Sequence, residues 1–187
     1  MSGASEQLGY QAIEETKAWL DQVVIGLNFC PFAKREVQRN AIRYAYSDSK
    51  KSKDVLKLFA QEVQILDKNA EIETSLILLT NGFKSFFGYL DVLDLAQYWL
   101  EENGYSGVYQ LASFHPEYVF DGEPEDSAEN YTNRSPYPTI HLLREASLEK
   151  AIKAYKHPEK IPQNNIHKAQ SMGASALNAL LLSCMKN

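Results

Sequence analysis

Leu76-Ile77-Leu78-Leu79-Thr80-Asn81-Gly82 is the stretch from which the fold is read. Four consecutive aliphatic residues suit a strand covered on both faces, and Asn-Gly ends it in a turn. On its amino side, residues 49–52 offer an N-cap for a helix through about Lys68. Before that helix, residues 41–47, with Ile42, Tyr44 and Tyr46 on one side, read as a strand. On its carboxyl side, Phe87, Leu90, Leu93, Leu95, Trp99 and Leu100 recur at helical spacing until Asn103-Gly104, and residues 108–114 form a third strand. An amphipathic helix over 10–27 precedes this series. A last strand over 139–143 and helices starting at Ser147 and Ile161 follow it. The β-α-β-α-β order predicts an α/β protein, a small, mostly parallel or mixed sheet of about four strands with helices packed on it. A ferredoxin-like α+β sandwich is the alternative.

Composition bounds the class. The chain has 187 residues, 44% of them apolar, and 19 Lys and Arg against 24 Asp and Glu give a net charge of −5. A chain of this length buries roughly 70% of its unfolded surface in one domain. No repeat or linker divides it, so residues 1–187 are read as a single domain. The acidic balance leaves no basic footprint, so nucleic acid is not an expected partner. Residues 1–8 carry neither a basic nor an apolar leader region, and no run approaches the ~20 apolar residues of a membrane span. A cytoplasmic protein without membrane contact is expected, with Cys30 and Cys184 as free thiols.

Charge is segregated along the chain. Residues 85–133 hold no Lys or Arg but contain Asp91, Asp94, Glu101, Glu102, Glu117, Asp121, Glu123, Glu125, Asp126 and Glu129. The last six lie in residues 115–138, a stretch without apolar period that is longer than an ordinary connection. It begins at the carboxyl end of a strand, where open α/β sheets place ligands. Acidic segregation of this kind binds a cation, docks a basic partner or solvates a loop.

The phrases Gly26-Leu-Asn-Phe-Cys-Pro-Phe-Ala33, Phe114-His-Pro116, Asn130-Tyr-Thr-Asn-Arg-Ser-Pro-Tyr-Pro138 and His141-Leu-Leu-Arg-Glu145 give nearly the whole chain a resemblance to a bacterial family of conserved hypothetical proteins. That family is a domain of unknown function. The resemblance implies a compact single-domain protein and carries no reaction with it.

Two chemistries are legible in the loop. His115, held extended by Pro116, has an imidazole near neutrality. His141 alternates with Ile140 and Leu142 and so faces the other way. If their strands are adjacent, His115 and His141 meet at one edge as acid and base. With Asp126, Asp121 or Glu129 they would form a two-His, one-carboxylate site for a divalent metal, although the spacing matches no recognised metal signature. The second chemistry is anion binding. Asn130, Asn133 and Arg134, with Thr132, Ser135 and Tyr137 beside them and Arg144 adding charge, would orient a small anionic molecule. The same side chains also suit a loop that satisfies its own backbone. Cys30, just past a helix end among aromatics, reads as packing more readily than as a nucleophile. The leading expectation is an enzyme acting on a small anionic substrate at residues 115–145 and the flanking strands. A non-catalytic ligand-binding or docking module using the acidic loop is the alternative.

Overall fold

A computed structural model of the chain describes residues 2–185. Helix α1 (Ser2–Trp19) widens at its end into a π segment (Leu20–Ile25), in which the Gly26 N–H donates to the Asp21 carbonyl. Then follow α2 (Ala33–Gln38), β1 (Ile42–Ser47), α3 (Ser52–Lys68), β2 (Thr74–Leu79), α4 (Phe86–Glu102) and β3 (Tyr109–Phe114). A 3-10 turn (Ala128–Thr132) interrupts the long connection to β4 (Thr139–Arg144). The chain ends with α5 (Glu145–Ala154), a short 3-10 turn (Pro158–Lys160), α6 (Ile161–Met172) and α7 (Ala174–Ser183).

The sheet is mixed, in the order β1-β2-β4-β3, with β1 and β2 parallel and β4 antiparallel to both its neighbours. The three strands of the β-α-β-α-β series all run in one direction. The long connection returns the chain so that β4 enters the gap between β2 and β3, pairing Phe114 with Thr139 and Leu76 with His141. Every residue of β2 is buried, as its aliphatic run requires.

Each face of the sheet has its own cover. On one face Ala45, Ile77, Leu79, Ile140 and Leu142 pack against Val55, Phe59, Val63 and Leu66 of α3 and against Tyr89, Val92, Ala96 and Leu100 of α4. Across the other face runs α1, with Ala12 on Leu76 and Leu78 and the Trp19 ring edge-on to Phe114 at 5.1 Å. Gly9 permits this close crossing, because a Cβ there would lie 2.2 Å from the Tyr46 ring. The π segment, α6, α7 and the 3-10 turn form a further apolar cluster around Leu20, Val23, Tyr131, Ala169, Leu177 and Leu181.

Three expected boundaries are corrected. The opening helix, expected over 10–27, begins at Ser2 and gives way at Leu20 to the π segment, which ends at Ile25. Ser147 lies inside α5, which starts at Glu145 with Arg144 as its cap. The single C-terminal helix is two helices, because Gly173 at φ +80° turns the chain between them. Among the described residues no helix is long and apolar enough to cross a membrane.

Candidate functional site

His115 directly follows β3, and the strand end delivers its ring into a pocket of aromatics. The imidazole is fully buried, with ring centroids 5.3 Å from Phe86 and 5.2 Å from Tyr89 of α4. Its Nδ1 accepts from the Glu117 N–H at 3.0 Å, which assigns the proton to Nε2, 3.0 Å from the Phe83 carbonyl that accepts it. Burial holds the imidazole below its ordinary range, against the smaller upward pull of the Phe83 carbonyl. Both nitrogens are engaged by backbone, so the ring pins the loop to the start of α4 and offers no free atom to a substrate or a metal.

The amide and guanidinium donors of the loop turn inward as well. Asn130 is fully buried. Its Oδ1 accepts from the Phe120 N–H at 3.0 Å, and its Nδ2 donates to the Pro124 and Glu125 carbonyls at 2.8 and 3.3 Å. Asn133 Nδ2 donates to the Ser113 carbonyl at 3.2 Å, and its own carbonyl accepts from the His115 N–H. Arg134 stacks over Tyr131 at 4.5 Å and donates through Nε to Tyr118 O and through Nη2 to Glu125 O. Trp19 Nε1 in turn donates to the Arg134 carbonyl at 3.0 Å, which ties the loop to α1. These are the self-satisfying contacts that an ordered polar loop needs.

The remaining candidates lie elsewhere. Strands β3 and β4 are neighbours, as the acid-base expectation required. However, His141 points to the face covered by α1, 5.8 Å from the Phe114 ring, whereas His115 packs on α4 at the opposite face. Asp126 is exposed on the loop. Among the described residues no three His, Cys, Asp or Glu side chains are placed to hold a metal ion, so the expected His115, Asp126, His141 centre is not assembled. Arg144 sits at the far end of β4. It donates to the Ile72, Leu66 and Asn69 carbonyls and to the Tyr109 hydroxyl, closing the carboxyl end of α3. The anion site expected from Arg134 and Arg144 is therefore divided between two ends of the molecule. Cys30 is half-buried and burial pushes its thiol up, away from the thiolate a nucleophile requires.

What the loop presents outward is carboxylate. Glu117, Asp121, Glu123, Glu125 and Asp126 are exposed and Glu129 is half-exposed, and among the described residues none forms an ion pair.

A second polar set, under α1, was not singled out from the sequence. Glu15 is buried, accepts from the Tyr137 hydroxyl at 2.6 Å and from Gln11 Nε2 at 2.8 Å, and holds the Tyr137 phenol above its usual range together with the larger effect of burial. Thr16 is buried, and its Oγ1 has no partner among the described residues. The signal was available, since Glu15 and Thr16 precede Trp19 by four and three positions and so share its stripe on the helix. On the face that α1 covers, the ring nitrogens of His141 have no hydrogen-bond partner among the described residues. Burial pushes its imidazole down to about 4.

The two histidines predict a pH dependence. Both are depressed in the fold relative to about 6.5 in the unfolded chain. Below that value the unfolded chain binds more protons, so stability is full above about pH 6.5 and falls as the pH drops toward about 4. The share of His141 between pH 7 and 5 is about 1–2 kcal/mol. Urea midpoints at the two pH values should therefore differ less in His141→Leu than in the parent. An equal difference would contradict the assignment.

The family model described as "Protein of unknown function (DUF1415)" matches residues 11–179, a span that takes in the α1 crossing, the whole sheet and the acidic loop. No curated protein and no solved structure matches the chain. With the match covering most of its length, the chain belongs to the DUF1415 family of proteins of unknown function.

Proposed function

We propose that the chain is a docking module whose acidic loop recognises a basic partner. One observation carries this reading. His115, Asn130 and Ser135 are fully buried and bonded so as to order a loop whose outward carboxylates form no ion pair among the described residues. Ordering each residue costs about 1–2 kcal/mol of backbone entropy, and an irregular segment of this length held in one shape is usually functional. A fixed array of like charges also steers an oppositely charged partner and sets its register. The small-anion reading loses support, because Arg134 and Arg144 direct their donors to protein carbonyls.

The test is binding of a fluorescein-labelled oligo-arginine peptide, followed by anisotropy. Affinity should fall about tenfold or more between ~20 and ~200 mM NaCl. The triple variant Glu123→Gln, Glu125→Gln, Asp126→Asn should bind about tenfold more weakly at low salt, with its melting temperature unchanged. Absence of binding at low salt, or equal binding by the variant, would overturn the reading.

A catalytic reading is favoured by His141 alone. Its imidazole is neutral at physiological pH and unpartnered among the described residues, as a general base awaiting a substrate proton would be. Among the described residues no hydrogen bond or ion pair joins it to a second group, as a catalytic pair would show, so docking is the stronger reading.

A further inference from the structure

The sheet has two edges, and the chain treats them differently. At β3 part of the outward backbone is covered: the Tyr109 N–H donates to the Tyr105 carbonyl, and the Ser113 carbonyl accepts from Asn133. Among the described residues the β1 edge has no such cover. The Ala41 and Ser47 carbonyls accept from Glu73 and Thr80 beside β2. By alternation, the backbone groups of Ile42, Tyr44 and Tyr46 point away from the sheet, where they have no partner among the described residues. Monomeric proteins blunt such edges with proline, a bulge or an inward-pointing charge. Strand β1 runs in unbroken register with β2 and contains no proline. Its one charged residue, Arg43, is drawn back from the edge by Glu62 of α3 at 2.7 Å.

We propose that the β1 edge pairs antiparallel with β1 of a second copy of this chain, about a two-fold axis at Tyr44, joining the two sheets into one. The self-pairing is argued from the strand itself. The outward residues are spaced symmetrically about Tyr44, so Ile42 faces Tyr46 of the copy, Tyr44 faces its equivalent, and each outward donor and acceptor meets a complement. Arg43 comes opposite Ala45 of the copy, so the only charge in the strand meets no like charge. On the α1 face the joint forms a row of Ile and Tyr pairs, which are favourable cross-strand partners. A depression of about 270 Å3 lined by Leu20, Val37, Ile42 and Tyr44 borders the edge on that face. A second, of about 320 Å3, lies beside Arg43, Leu58 and Ile65 on the other. An added strand places alternate side chains toward each.

Sedimentation of the whole chain at ~100 µM should show a dimer that dissociates on dilution. Amide exchange at Ile42, Tyr44 and Tyr46 should slow as concentration rises. The residue on the axis meets itself, so Tyr44→Lys and Tyr44→Glu should each sediment as monomers. An equimolar mixture of the two should form the dimer again, because opposite charges then meet across the joint. A parent chain that is monomeric at ~100 µM overturns the proposal. So does a dimer whose Ile42, Tyr44 and Tyr46 amides exchange independently of concentration, or one that persists in both single variants.

Discussion

His115→Ala should destabilise the fold by about 3–4 kcal/mol, the sum of a cavity among aromatics and two backbone groups left without partners. The cavity lies beneath Phe86 and Tyr89, and the orphaned groups are the Phe83 carbonyl and the Glu117 N–H. For a chain of this length that is a fall in melting temperature of roughly 6–16 °C. His115→Asn, whose side-chain oxygen can still accept from the Glu117 N–H, should recover part of the loss. Residues held for catalysis behave in the opposite way, and their removal leaves stability unchanged or raises it. A His115→Ala variant as stable as the parent would therefore restore the catalytic reading of this histidine.

Arg144→Ala should cost about 2–3 kcal/mol, since its guanidinium is the common donor to the Ile72, Leu66 and Asn69 carbonyls and to the Tyr109 hydroxyl. Those carbonyls lie at or just beyond the carboxyl end of α3, where a cation is additionally favoured by the helix dipole. Arg144→Lys should recover little, because a single ammonium cannot reproduce the planar fork that reaches several acceptors at once. Chemical denaturation of both variants checks this. A full recovery by lysine would mean that charge, rather than the fork, holds the α3 end to β4.

The fold was legible where periodicity carries information. Strands β1, β2 and β3 and helices α3 and α4 appear in the sequence as alternating, continuous or 3.6-residue apolar patterns, because each buries a defined face. The position of β4 between β2 and β3 was not legible, since no pattern in Thr139–Arg144 records which neighbours a returning strand meets. The loop was recognised as the unusual segment, but the direction of its donors was hidden. An Asn or Arg has the same letters whether it bonds a ligand or, as Asn130 and Arg134 do, a carbonyl a few residues away. His141 was placed on the correct face by alternation. The same parity argument could not reach His115, which lies beyond the last paired residue of β3.

Hydrogen exchange across residues 115–138 tests most directly the claim that this loop is held in one shape by its own buried polar groups. The His115, Glu117 and Phe120 amides, bonded to Asn133 O, His115 Nδ1 and Asn130 Oδ1, should exchange about a hundredfold or more slowly than in an unstructured peptide. That protection should be lost in Asn130→Ala while the amides of β2 keep theirs. Exchange of the three amides at the unstructured rate in the parent chain would contradict the account, because carboxylates on an unformed loop present no surface to a partner.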